Sequence, residues 1–167
     1  VIFINYMLKK PKFWDKNHDT IFSIILIPFT VILVFKNWIN QFYKKKKFKI
    51  KSICVGNIYL GGTGKTSLSI NINKILNRKK IKSCLIKKYY KDQIDEQNIL
   101  KNNGKLYLSK NRIDAIKEAE AENYKFAILD DGLQDKSIDC DINIVCFNNI
   151  NWIGNGMTIP SGPLREN

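Results

Sequence analysis

The residues best suited to chemistry are Gly61-Gly62-Thr63-Gly64-Lys65-Thr66. Glycines let backbone N–H groups approach and converge on one anion. A helix starting directly afterwards would add the positive end of its dipole. In such a loop Lys65 reaches the outer phosphates of a nucleotide and the Thr66 hydroxyl ligates Mg²⁺. The standard spacing G-x-x-x-x-G-K-[ST] is broken at its first position, where this chain has Tyr59. The alternative reading of the stretch is a Gly-rich turn without a ligand.

A nucleotide loop also needs an acid to hold the metal. Phe126-Ala127-Ile128-Leu129 runs directly into Asp130-Asp131. An apolar strand buried in a parallel sheet delivers such carboxylates to the carboxyl edge, where ligands bind in open α/β sheets. Asp130 and Asp131 are therefore the expected metal-holding pair, one holding Mg²⁺ directly or through water and the other helping to place it.

The elements that must position these groups read as α/β. Ile50–Val55 reads as a strand, broken at Gly56-Asn57, and Lys65–Arg78 as a helix with Leu68, Ile72, Ile75 and Leu76 on one face. Strands are expected at Ser83–Ile86, Leu106–Leu108, Phe126–Leu129 and Ile142–Phe147, with a helix at Ile113–Ala121. Strands alternating with helices imply a parallel sheet flanked by helices, like that of P-loop NTPases. The core is expected over residues 48–167 and a separate N-terminal segment over residues 1–47.

That segment carries Ile21–Phe35, fifteen residues without a charge and interrupted by Pro28. As a helix the run is about 22 Å long, short against a bilayer core of about 30 Å. Trp14 and Trp38 bracket it, where amphipathic rings favour the headgroup zone. Lys44-Lys45-Lys46-Lys47, Lys49 and Lys51 follow it, and each Lys near an anionic surface contributes about 1 kcal/mol. The segment reads as a membrane-associating helix with a basic flank; a buried core helix with a solvated Lys linker is the alternative.

Composition narrows the classes further. The 167 residues carry 28 basic and 15 acidic side chains, net +13. Up to Lys51 there are 11 basic and 2 acidic residues, and from Ser52 onward 17 and 13, so the excess sits in the N-terminal third. This favours an anionic membrane surface over nucleic acid as the partner of the basic excess; a biased genome, rich in Lys, Ile and Asn codons, is the bland account of the same excess. Cys54, Cys84, Cys140 and Cys146 form no C-x-x-C pair, and Cys54, Cys84 and Cys146 sit in apolar runs, as buried reduced thiols do. With His18 as the single His, a multi-His metal site within this chain is excluded. The N-K-x-D guanine-reading motif is absent.

Together these motifs resemble the tetraacyldisaccharide 4′-kinase family. Ser52-Ile53-Cys54-Val55-Gly56-Asn57-Ile58 leading into the Gly-rich loop is similar to the family's S-V-G-N-[LI] stretch, and members also lack the first Gly. Asp130-Asp131-Gly132-Leu133-Gln134 matches D-D-G-[LF]-Q. Gly154-Asn155-Gly156 and Pro160-Ser161-Gly162-Pro163-Leu164-Arg165-Glu166 match G-N-G and P-x-G-P-L-R-E, and Pro11–Trp14 resembles P-x-F-W.

The resemblance implies transfer of the γ-phosphoryl group of ATP to the 4′-hydroxyl of a tetraacyldisaccharide 1-phosphate, giving lipid IVA in lipid A biosynthesis. It implies work by a monomer at the cytoplasmic face of the bacterial inner membrane, peripheral or monotopic. It assigns Asp95, in Ile94-Asp95-Glu96-Gln97, as the catalytic acid that acts on the acceptor hydroxyl. It gives Glu166 a supporting place at the metal and Arg112 a phosphate contact. Two departures stand out: Asp135 follows Gln134 where the family has His, and the family's S-R-G-Y segment appears only as Lys87-Lys88-Tyr89-Tyr90. Family members run to roughly twice this length, as two domains do, so the chain is expected to be an N-terminal portion lacking the second domain and its His. The rival readings are a membrane-associated P-loop ATPase or GTPase without lipid kinase activity, and a nucleotide-binding but inactive fragment.

Overall fold

A computed structural model describes residues 11–15, 20–40, 42, 44–60, 63–150 and 152–166. The chain folds as two compact units, one of Val1–Gln41, Tyr59–Gly61 and Phe147–Asn167, the other of Phe42–Ile58 and Gly62–Cys146. This differs from the sequential division at residue 47 in two ways. The Lys run belongs with the sheet, because Lys46 donates its N–H to Ser137 O at 2.8 Å and accepts from Asp139 N at 2.9 Å. Residues 147–167 belong with the N-terminal helix, for reasons given below.

In the larger unit the elements alternate along the chain: β1 (Lys51–Gly56), α2 (Lys65–Arg78), β2 (Ser83–Lys88), α3 (Ile94–Asn102), β3 (Leu106–Ser109), α4 (Arg112–Ala121), β4 (Phe126–Asp130) and β5 (Ile142–Val145). The five strands form one sheet in the order β3-β2-β4-β1-β5, every pairing parallel. Side chains of opposite parity fill its two faces. Ile53, Val55, Leu85 and Ile128 pack with Ile70 of α2 and Leu100 of α3, while Cys54, Cys84, Ile86, Ala127 and Leu129 pack with Ala115, Ile116 and Ala119 of α4. Because both faces are covered, the central strands are apolar at almost every position. The expected α/β, P-loop NTPase-like architecture is the one observed.

Two local expectations need correction. Ile75 of α2 is half exposed, whereas Ser69, Ile70 and Asn73 are buried. The helix turns a partly polar face inward because Ser69 bonds to Asp130 and Asn73 Oδ1 accepts from the Ser83 hydroxyl at 2.8 Å. Helix α3 was not expected. Its Ile94 and Ile99 are exposed and only Gln97 and Leu100 are buried, so it has no apolar stripe to read.

The smaller unit is built on a short 3₁₀ turn, Lys12–Asp15, and on α1, Ile21–Asn40. Helix α1 runs on through Pro28, which removes one N–H but leaves the neighbouring turns bonded, and past the lone charge of Lys36. Its 20 residues extend about 30 Å, enough to cross the hydrocarbon core, in place of the shorter helix expected. Ile21–Ile39 has a mean hydropathy of 2.0 and is only 6% buried. The inward side is one narrow stripe, Ser23, Leu26, Thr30, Val34 and Asn37, at helical spacing.

The C-terminal segment grips that stripe through polar contacts. The Thr30 hydroxyl lies 2.8 Å from the Ser161 hydroxyl, and Asn155 Nδ2 donates to Ser23 Oγ at 3.2 Å and to Ser161 O at 2.9 Å. Trp14 does not sit at an interface as expected. It is 8% exposed, its indole N–H donates to Pro160 O at 3.0 Å, and its own carbonyl accepts from Asn155 N at 3.0 Å. Gly154 has a positive φ of 62°, and a Cβ there would collide with the Trp14 carbonyl. The G-N-G and P-x-G-P-L-R-E segments thus hold α1 and the P-x-F-W segment. Trp38 is exposed and stacks on Phe35.

Candidate active site

Residues Gly61 and Gly62 of the loop lie outside the described residues. Gly64 caps α2 with φ +74° and ψ 12°, a left-handed conformation that favours glycine whatever the surrounding space. No side chain caps α2 and no acid sits in its first turn. Its first N–H groups therefore face the loop as an anion site. The Thr63 hydroxyl is buried with no hydrogen-bond partner among the described residues, as fits a donor waiting for a phosphate oxygen.

Beside this helix start, β4 brings in Asp130, which is fully buried. Its Oδ2 accepts from the Thr66 hydroxyl at 3.3 Å and from Lys87 Nζ at 2.8 Å, and its Oδ1 accepts from the Ser69 hydroxyl at 3.2 Å. The next residue, Asp131, has φ +56° and donates its N–H to Val55 O at 2.9 Å. A non-glycine residue held in this region stores strain, and such positions gather at functional sites. It turns the Asp131 carboxylate towards the helix start, where Oδ1 lies 3.8 Å from Lys65 Nζ.

Lys87, 1% exposed at the end of β2, also donates to Glu96 Oε2 at 2.7 Å. Burial alone would lower the Lys87 pKa; the Asp130 and Glu96 carboxylates outweigh it and hold the ammonium above its ordinary value. The hydrogen bond from Lys87 in turn lowers the Glu96 carboxyl, against a smaller opposing effect of burial.

The chemistry of the donors suits Mg²⁺. That ion takes one or two protein oxygens and fills its remaining positions with phosphate and water. Thr66 and Asp130 supply such a pair, and among the described residues no group of three or more His, Cys, Asp or Glu could hold a metal alone.

The other expected site residues are placed differently. Asp95 is exposed on the first turn of α3, one residue before the Glu96 that reaches Lys87. Glu166 belongs to the smaller unit, not to the one holding Asp130. Arg112, 6% exposed, commits its guanidinium to Asp131 O at 2.7 Å and to Asp135 Oδ2 at 3.3 Å. It braces the acidic turn from behind, and Asp135 is its counter-ion. Ser69, Lys87 and Glu96 were missed. Ser69 follows Thr66 by three positions, so the helical period could have pointed to it. Lys87 shows in the sequence as a charge ending an apolar strand and as the first residue of a segment that departs from the family pattern, with no sign of its partners.

A family model for tetraacyldisaccharide-1-P 4′-kinase (LpxK) matches residues 21–105 and 95–167. The chain belongs to that family. The tetraacyldisaccharide 4′-kinase of Pelagibacter ubique (strain HTCC1062) is 56% identical to it over 163 residues, 96% of this chain and 51% of the relative. That of Rickettsia bellii (strain OSU 85-389) is 31% identical, over 93% of this chain and 53% of the relative. The chain thus spans about half the length of the curated 4′-kinases it matches. A crystal structure of LpxK from Aquifex aeolicus in complex with ATP superposes with a TM-score of 0.70 at 24% identity, over 87% of this chain and 54% of the other. At that identity the likeness speaks for the fold.

Proposed function

We propose that this chain carries the nucleotide-binding part of a tetraacyldisaccharide 4′-kinase, which moves the γ-phosphoryl group of ATP to the 4′-hydroxyl of a tetraacyldisaccharide 1-phosphate and yields lipid IVA. The observation that carries this reading is the 3.3 Å contact between the Thr66 hydroxyl and the buried Asp130 carboxylate, at the start of a helix capped by Gly64. Phosphoryl transfer is mostly positioning and charge neutralisation. The loop from Gly61 through Gly64 and the N–H groups of α2 hold the phosphates, the Lys65 ammonium meets their outer oxygens, and Asp131 sets the lysine's direction. Thr66 and Asp130 would hold Mg²⁺, which would supply neutralisation of phosphate charge. Asp95 accepts the proton of the attacking hydroxyl, whose oxygen forms the new P–O bond as ADP leaves.

The lipid substrate places this work at a membrane. Helix α1 offers a broad exposed apolar flank, and Lys44–Lys47, which follow it in sequence, expose their side chains to an anionic surface. Within the smaller unit a cavity of about 310 Å³ is lined by Ile27, Thr30, Val31, Val34, Met157, Thr158 and Ser161, chemistry suited to an acyl chain. The protein acts as a monomer, peripheral or monotopic, on the cytoplasmic face of the bacterial inner membrane.

A fluorescent ATP analogue with Mg²⁺ tests the nucleotide reading directly. The wild-type chain binds it, and Lys65→Ala weakens binding by about 100-fold, the scale for loss of one charge-stabilising donor. Undiminished binding by Lys65→Ala removes the assignment. Transfer of labelled γ-phosphate to tetraacyldisaccharide 1-phosphate in mixed micelles tests the acceptor.

A further inference from the structure

Lys87 has no part in the phosphate loop, yet its ammonium stands where a cation is most needed. Strand register puts it there. Ile86 pairs with Leu129, so the next residues of β2 and β4, Lys87 and Asp130, end side by side at the carboxyl edge. The ammonium is closed in, with Asp130 Oδ2 at 2.8 Å and Glu96 Oε2 at 2.7 Å. Asp130 Oδ2 is the same oxygen that the Thr66 hydroxyl touches. A divalent cation approaching Thr66 and Asp130 therefore competes with Lys87 for one oxygen and meets its positive charge at close range.

We propose that Lys87 is a positioning residue that acts as a built-in counter-ion. It keeps free divalent cations off Asp130 until a nucleotide arrives, so that metal enters together with phosphate. The proposal rests on the reading of Thr66 and Asp130 as the metal-holding pair. Like charges a few ångströms apart in a partly buried site repel strongly. The several negative charges of a nucleotide's phosphates let both cations stay. Glu96 anchors the ammonium from the α3 side, so that it does not swing away when Asp130 is shared.

The test uses Mn²⁺ alone as probe, titrated into the nucleotide-free 167-residue chain and followed by electron paramagnetic resonance of the free ion. Lys87→Met and Lys87→Gln are expected to bind Mn²⁺ at least about tenfold more tightly than wild type, the effect of removing one neighbouring charge. Lys87→Arg keeps the charge and is expected to bind as weakly as wild type. Equal affinity in wild type and the neutral variants overturns the proposal, as does tight binding by Lys87→Arg. Should the neutral variants fail to fold alone, recovery of their circular dichroism on adding Mn²⁺ supports it, because the metal then takes the ammonium's place; failure to recover overturns it. Binding of the Mg²⁺–ATP analogue by wild type is measured separately. Its failure strikes the nucleotide reading, and the Mn²⁺ comparison stands or falls by itself.

Discussion

Gln134 donates from Nε2 to the main-chain carbonyl of Asn57 at 2.9 Å, tying the turn after β4 to the turn after β1. The two residues are 77 positions apart, and each follows a strand, Asn57 after β1 and Gln134 after β4. The bond fixes where the chain leaves β1, relative to the turn that carries Asp131. Gln134→Leu is expected to lower unfolding free energy by about 1 kcal/mol, the usual net value of one such bond, and to weaken nucleotide binding. Urea melts and fluorescent-nucleotide titration read the two effects. Wild-type values in both would show the bond to be dispensable.

Asp95 and Glu96 are neighbours with different surroundings, and their variants are expected to separate. Asp95 is exposed, so Asp95→Asn should leave stability and nucleotide affinity unchanged while kcat falls by about 10²–10⁴, the range for loss of a general base. Glu96→Gln instead removes one of the two carboxylates on a buried lysine and is expected to lower the melting temperature. The reverse pattern, with Glu96→Gln silent in stability and severe in kcat, would move the catalytic assignment to Glu96. Steady-state kinetics and thermal melts decide between them.

Asp141 gives a pH-dependent prediction. The Ser52 backbone N–H at 2.9 Å, then the Lys51 ammonium and the Ser52 hydroxyl, each at 3.0 Å, hold its carboxyl at about 2 against an ordinary 3.8. A depressed folded-state value means that the ionised form stabilises the fold above the ordinary value and that this contribution fades as pH falls towards 2. Asp141→Asn is therefore expected to be less stable than wild type at neutral pH, by about 1–2 kcal/mol for loss of charge-assisted bonds. The gap should close as pH drops through the interval from 3.8 to about 2. Urea melts across that interval check it, and a gap constant with pH would exclude the mechanism.

Much of the fold was legible because its signals are local. The apolar runs of β1 and β4 and the glycines before Lys65 announce strand, turn and helix from neighbouring residues alone. The place of Asp130 at the carboxyl end of β4 was legible too, because the apolar run before it already reads as a buried strand. The rest depends on pairings set by sheet order. Nothing local says that β2 lies against β4, so nothing local shows that Lys87 meets Asp130. Glu96 was hidden behind Asp95 because α3 lacks an apolar stripe and its facing could not be read. The two-unit arrangement was hidden for a similar reason: Thr30 and Ser161 are bonded across 131 positions.

The grip on α1 has a consequence for how its sequence can drift. Its outer flank is exposed, with Phe22 stacked on Phe13, and elsewhere along it one aliphatic residue can replace another with little effect on folding. Positions 23 and 30 are different. Ser23 is fully buried and Thr30 shares a hydrogen bond with Ser161, so each admits only a side chain small enough to fit and polar enough to answer its partner. A hydropathy profile weighs all twenty positions alike and misses this. Saturation mutagenesis would instead trace tolerance around the helix circumference, broad on one arc and abruptly narrow along a single line.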